Sequence, residues 1–526
     1  MRILYKIANK LFRIVKKILK LLTSRMVIIG VALLLEFCWL AGIVMQLNEK
    51  SVYINYAVTI LSLIAVLSII NNPKMNPGYK LMWAVCILAL PVTGICLYGI
   101  LGHSSVARKF RTHYDTVLLS QGGVLGEEEE TRKKLEEENI LAAGQSSYLT
   151  NYAHYPVYVN TETEYYPLGD VWFEHFIEEL KKAEHYIFME YFIISEGYLW
   201  DTVLEILKEK AAAGVDVRLI YDDFGCVTTL PYQYYKSLQQ MGIKCAAFNQ
   251  FRPVLNVILN NRDHRKIAVI DGHTAFTGGI NLADEYINRK ERFGHWKDSG
   301  ICLHGEAVWS FTVMFLQMWS TITGMECDFE SYRPEIYHKE AFKKDGFVQP
   351  YGDSPLDGET VGEHVYLNII SQAKKYLYIF TPYLIPDNET LTALCMAAKR
   401  GVDVRIVTPG IPDKKIVYIL TQANYEILLE SGVQIYQYTP GFIHSKSFVC
   451  DDEVATVGTI NMDYRSMYLH FECGVWMYGS SAVAQVKEDA LTTFEQCEQI
   501  NMDYCRKKKF AVRALRGALK FLAPLL

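Results

Sequence analysis

Between residues 151 and 500 the sequence is written twice, and this duplication limits the possible folds more than any other feature. Ala183–Ile194 (AEHYIFMEYFII) answers to Ala373–Ile385 (AKKYLYIFTPYLI), and Gly214–Ile220 (GVDVRLI) answers to Gly401–Val407 (GVDVRIV). Gly242-Ile-Lys-Cys answers to Gly432-Val-Gln-Ile. The strongest correspondence joins His264–Asp271 (HRKIAVID) to His444–Asp451 (HSKSFVCD). After the same gap these run into Gly279-Ile-Asn281 and Thr459-Ile-Asn461. A period of about 180 to 190 residues is a domain, not a solenoid unit. Within each copy, β-branched and aromatic runs of strand length alternate with helical stretches such as Leu199–Ala213 and Thr390–Arg400. These stretches stop at Gly214 and Gly401, just before a Val-Asp-Val-Arg strand, which is the punctuation of alternating helix and strand. The expected class is α/β, in two similar halves (151–345 and 346–500) around a shared cleft.

His264 and Lys266 stand two apart in a strand-like run, so both side chains leave one face. Asp271 is seven residues from the histidine, an odd offset that turns it away on an unbroken strand. The same parity holds for His444, Lys446 and Asp451. One such pair is a weak signal; two at equivalent places bring two imidazoles and two ammonium groups to one cleft. That set suits a phosphodiester. Lys266 and Lys446, with Asn281 and Asn461, are expected to neutralise and hydrogen-bond the non-bridging oxygens. One imidazole attacks phosphorus while the other protonates the leaving alkoxide. Each imidazole needs a partner on its other nitrogen. Lys297-Asp298-Ser-Gly300 aligns with Phe471-Glu472-Cys-Gly474 if the first half has a longer loop after Asn281. Asp298 and Glu472 are therefore the expected orienting carboxylates. Glu190 ranks lower because Phe380 stands at its counterpart. No metal-ligand spacing and no phosphate-loop or dinucleotide glycine pattern occurs, so neither metal nor cofactor is expected.

Half of the 526 residues are apolar and 21% are charged, which excludes a disordered chain. A net charge of −5 excludes a strongly basic nucleic-acid binder. The twelve cysteines form no CxxC pair and read as free thiols. Val27–Met45, Val52–Ile70 and Leu81–Leu101 are apolar runs near the roughly 20 residues that span a bilayer as helix. Residues 26–104 are thus an expected membrane region of two or three helices, with Glu36 and Pro91 as the features that weaken its first and third runs. Arg108, Lys109 and Arg111 follow the last run, so the count of spans decides which side the remainder faces. Residues 1–25 and 501–526 are basic and amphipathic, suited to an anionic leaflet. Residues 105–150, charged and polar around Glu127–Glu138, read as a solvated helix or linker.

The paired motifs, His264/Lys266/Asp271 with Gly278-Gly-Ile-Asn281 and His444/Lys446/Asp451 with Gly458-Thr-Ile-Asn461, resemble the H-x-K-x4-D and Gly-(Gly/Ser/Thr)-x-Asn hallmark of the phospholipase D superfamily. Asn72-Pro73, Trp83, Pro91-x-x-Gly94-x-x-x-Tyr98, Glu190-Tyr-Phe, Phe251-Arg-Pro253 and Thr381-Pro-Tyr383 resemble bacterial cardiolipin synthases within it. The resemblance implies that all six motif residues, Asp271 and Asp451 included, belong to the catalytic set. It further implies a multi-pass enzyme of the bacterial cell membrane that moves a phosphatidyl group between two phosphatidylglycerols through a phosphohistidine. By that analogy His264 is the nucleophile and His444 the acid/base. A phospholipase D-type hydrolase acting on lipid or nucleic acid needs the same residues. A dead scaffold would have lost some of the six, and all six are intact.

Overall fold

The computed structural model describes residues 25–44, 50–73, 75–102, 105–120, 123–126, 129–250, 261–506 and 510–525. Among these, residues up to Phe110 form one compact unit and those from Arg111 onward form another. The basic segment expected over residues 1–25, the Phe251-Arg-Pro253 element and Lys507–Lys509 lie outside the described residues, apart from Arg25.

The first unit is helical: Arg25–Val44, Lys50–Ile70, Pro77–Ala89 and Pro91–Leu97. One helix among the described residues, Val52–Ile70, is long and apolar enough to cross a membrane. Of the expected two or three spans, the described residues support this one, and they do not support the multi-pass arrangement. Proline has no N–H and cannot continue a helix, so Pro91 divides the third run into two short helices. In the first run, Glu36 is buried and accepts the backbone N–H of Thr93 at 2.7 Å. The Thr93 hydroxyl donates in turn to the Ala32 carbonyl. Glu36 thus holds the first turn after Pro91, where helical amides lack internal partners.

In the second unit each half supplies one twisted sheet. The first half contributes β1 (Thr161–Tyr166), β2 (Tyr186–Tyr191), β3 (Asp216–Asp222), β4 (Lys244–Phe248), β5 (Arg262–Asp263), β6 (Lys266–Ile270), β7 (Thr274–Gly278), β8 (His295–Lys297) and β9 (Gly300–Gly305). The second contributes β10 (Phe347–Asp353), β11 (Tyr376–Phe380), β12 (Asp403–Pro409), β13 (Gln434–Tyr438), β14 (Gly441–Ile443), β15 (Ser447–Cys450), β16 (Val454–Gly458), β17 (His470–Tyr478) and β18 (Cys497–Ile500). The orders β1-β9-β7-β6-β2-β3-β4 and β10-β17-β16-β15-β11-β12-β13 are the same order written twice. The α/β class in two similar halves is as the repeat requires.

Two short strands leave their own half. β5 pairs in parallel with β17, placing Arg262 opposite His470. β14 pairs in parallel with β8, placing Phe442 opposite Trp296. Helices join the halves as well. Val308–Thr323 is apolar on nearly every face and packs against strands of both sheets, as an all-round apolar helix must. Gly169–Lys182 instead carries one stripe (Trp172, Phe173, Phe176, Ile177, Leu180) and covers the first core with it.

The segment expected as a linker is a packed element. Leu135 and Leu149 are fully buried, Tyr148 donates to Glu359, and Gln349 reaches the Ser146 and Tyr155 carbonyls. The C-terminal helix Phe510–Leu522 packs on Lys415–Ala423, with buried Arg516 donating to Gln422 at 2.8 Å. Arg513, Leu515 and Lys520 stay exposed on it.

Candidate active site

The two exchanged strands deliver the histidines. Extending the β5–β17 register by one step sets His264 beside Glu472, and its N–H donates to the Phe471 carbonyl at 2.9 Å. The β14–β8 register likewise sets His444 beside Asp298, with its N–H donating to Lys297 at 2.7 Å. His264 Nδ1 lies 2.9 Å from both carboxylate oxygens of Glu472, and His444 Nδ1 lies 2.6 Å from Asp298 Oδ2. Each imidazole is therefore oriented by the carboxylate of the other half. With its Nδ1–H donating to Glu472, His264 keeps the lone pair of Nε2. Both rings line one cavity of about 610 Å³, with Asn281 and Asn461.

The motif glycines follow from the approach of these acids. A Cβ at Gly279 would run into Oδ1 of Asp298. The equivalent position in the second half is Thr459, whose hydroxyl donates to Glu472 Oε2 at 2.5 Å. A small or hydroxylated residue is needed there because a buried carboxylate stands alongside.

Lys266 and Lys446 are buried, and each ammonium donates to the carbonyl of its own histidine, Lys266 to His264 at 2.6 Å. Burial pulls their pKa values down to about 8 for Lys266 and about 7 for Lys446. An arriving phosphate anion favours their charged forms. Asn281 accepts from the Ile193 N–H and donates to the Tyr286 hydroxyl, leaving one amide hydrogen uncommitted. Asn461 Oδ1 has no partner among the described residues.

The electrostatics of the two pairs differ. Burial, then Lys266 and His470, push the His264 imidazole well below its ordinary pKa, while burial pushes the Glu472 carboxyl up. His444 is lowered to about 4 by burial and Lys446, against the opposing pull of Asp298. Asp298 is held below the ordinary carboxylate range: His444 and Lys446 outweigh the burial that would raise it. Both rings are thus held below their ordinary pKa, and the pairs differ in their acids: Asp298 is ionised, whereas burial drives Glu472 toward its neutral form.

The structure does not bring Asp271 and Asp451 to the cavity that the histidines line. Both close β-turns in left-handed conformation (φ 49° and 55°). Asp271 accepts the backbone N–H groups of Glu184, His185 and Tyr186, and Asp451 those of Lys374, Lys375 and Tyr376. Each carboxylate ties the end of its motif strand to the neighbouring strand, at the far end from the histidine. Glu190 is also away from the imidazoles: it pairs with buried Arg265 at 2.5 Å. Sequence reasoning missed the residues flanking the acids and histidines, namely Arg262 with His470 and Phe442 with Trp296. The period-two rule would have found them, since each stands two residues before a residue already singled out.

Residues 176–319 and 366–493 match the family described as "Cardiolipin synthase, PLD-like domain". Residues 60–103 match "Phospholipase_D-nuclease N-terminal". The cardiolipin synthase of Alkalihalophilus pseudofirmus is 34% identical over 89% of this chain and 92% of its own. This chain belongs to the cardiolipin synthase family. The enzyme of that name from Halalkalibacterium halodurans is also 34% identical, over 86% of this chain and 90% of its own. An uncharacterized protein of Streptococcus mutans is 43% identical over 88% of this chain and 99% of its own. The phosphatidylserine synthase of Haemophilus influenzae shares the fold, with a TM-score of 0.54 at 15% identity over 73% of this chain and all of that one. As a member of the cardiolipin synthase family, the chain is a phosphatidyltransferase of the phospholipase D superfamily.

Proposed function

We propose that the enzyme transfers a phosphatidyl group from one phosphatidylglycerol to a second, giving cardiolipin and glycerol, with His264 as nucleophile and His444 as acid/base. His264 Nε2 attacks phosphorus and forms an N–P bond. The P–O bond to glycerol breaks as His444 gives its proton to the departing oxygen. A hydroxyl of the second phosphatidylglycerol then loses its proton to His444 and attacks phosphorus, and the N–P bond breaks. Lys266, Lys446, Asn281 and Asn461 hold the non-bridging oxygens through both steps.

The observation that carries this reading is the crossed pairing of two imidazoles with two buried carboxylates on one cavity. The order of roles rests on the difference between the acids: ionised Asp298 supports a charged ring beside it, which suits His444 to proton transfer and leaves attack to His264. The apolar Val52–Ile70 helix supports attachment to a bacterial cell membrane, where both lipids reside.

Purified full-length enzyme given phosphatidylglycerol alone is expected to yield cardiolipin and glycerol. Phosphatidic acid as the sole lipid product would identify a hydrolase instead. His264→Ala and His444→Ala are each expected to lower cardiolipin formation about 10³-fold. Undiminished product in both variants would remove the mechanism.

A further inference from the structure

The positions one step outward from the histidine–acid pairs are not equivalent in the two halves. On the first-half side, Arg262 stands opposite His470 across β5 and β17. On the other, Phe442 stands opposite Trp296, their rings 4.9 Å apart. One flank of the cavity is therefore cationic and polar, the other aromatic.

The cationic flank is short of anions. Arg262 is only 8% exposed, yet its Nη1 has no hydrogen-bond partner among the described residues. Its nearest acid, Asp222, is 3.7 Å away and already accepts the N–H groups of Phe224, Gly225 and Asp263. Both ring nitrogens of His470 are buried without a hydrogen-bond partner, with Glu472 at a long 3.6 Å. Buried polar groups left in this state are rare, and a role in binding a ligand is one of the few explanations. His264, His470 and Glu472 place ligand atoms within 4.8 Å of one another, a spacing that a metal ion also accepts. However, burial and then Arg465, Lys266, Arg262 and Lys414 oppose a second proton on His470. A site ringed by those charges attracts an anion and repels a divalent cation.

We propose that Arg262 and His470 form an anion subsite that holds the phosphodiester of the acceptor lipid while its free hydroxyl attacks at the histidine pair. This rests on the transferase reading above. Two residues along a strand cover about 6.6 Å. A phosphate between Arg262 and His470 therefore sits about one glycerol length from a phosphorus held at His264, because the acceptor carries its phosphate three carbons from the attacking oxygen. Water and free glycerol carry no such group. The guanidinium donates N–H to the phosphate oxygens, and the neutral imidazole adds a further donor. On the Phe442–Trp296 flank the cation Arg292 is already paired with Glu285 at 2.8 Å, so an acceptor phosphate is drawn to the other side.

The test compares two reactions of the full-length enzyme in phosphatidylglycerol micelles: cardiolipin formation, and exchange of labelled glycerol into phosphatidylglycerol. Both pass through the same phosphatidyl-enzyme, but only the first uses an acceptor bearing a phosphate. Arg262→Gln is expected to lower the ratio of cardiolipin formation to exchange about tenfold, with a smaller fall in His470→Asn and partial recovery in Arg262→Lys. His470→Asn leaves Glu472 in place and gives an arm independent of how Arg262→Gln folds. Proportional loss of both reactions in all three variants would overturn the subsite while leaving the transferase intact. Wild-type enzyme that makes phosphatidic acid and neither labelled phosphatidylglycerol nor cardiolipin would overturn the transferase reading, and the subsite with it.

Discussion

The two sides of the cavity match at their centre and differ at their edge. At the centre each half gives a histidine and receives an acid from the other, Glu472 for His264 and Asp298 for His444. One register step away the match ends, with Arg262 and His470 against Phe442 and Trp296. Pseudo-symmetry survives where both sides must grip the same phosphorus. It is lost where, on the proposed subsite, two chemically different ends of a substrate are told apart. Even the central pairs are unequal, since Asp298 is held ionised while burial drives Glu472 toward its neutral form.

The largest expected effect separates the two histidines. A phosphatidyl ester of p-nitrophenol has a leaving group that needs no proton. His444→Ala, down about 10³-fold on phosphatidylglycerol, should release one equivalent of p-nitrophenol per enzyme in a burst within about tenfold of the wild-type rate and then stall at the step that needs His444 as base, whereas His264→Ala gives no burst. Rescue of His264→Ala in place of His444→Ala would reverse the assigned roles.

Next in size is the inequality of the acids. Asp298→Asn removes an ionised partner and is expected to cost about 10²-fold or more in kcat. Glu472→Gln replaces a carboxyl already driven toward neutrality and should cost roughly tenfold less, by the same measure. Equal losses would show that the two pairs do the same work.

The smallest effect concerns the motif aspartates. Asp271→Ala and Asp451→Ala each strand three backbone N–H groups and leave alanine at positive φ. Each should destabilise the protein by about 2 kcal/mol, read as a Tm lowered by a few degrees. The folded fraction should turn over at a rate close to wild type. A loss of turnover comparable to that of the histidine variants would return these residues to the catalytic set.

Much of this was readable from strand parity. The even spacing of His264 and Lys266 put them on one face, and the odd offset of Asp271 turned it from the cleft. Aligning Asp298 with Glu472 needed only the glycines that follow both. The crossing of the pairs was not readable, because nothing local to Arg262-Asp263 says that it leaves its own sheet for β17. The outer pair was hidden for a different reason: a search for repeated residues discards Arg262 and His470, whose counterparts are Phe442 and Trp296. In the membrane region, hydropathy counted Leu81–Leu101 as one run, whereas Pro91 ends the helical hydrogen bonding within it.

The exchange of β5 and β14 also bears on how such a chain can change over generations. A fragment ending near residue 345 would keep His264 and lose the acid that steers it, and the complementary fragment would keep His444 without Asp298. Neither copy can be deleted, swapped or left to drift alone, since every alteration at one motif is felt by the reacting ring of its twin.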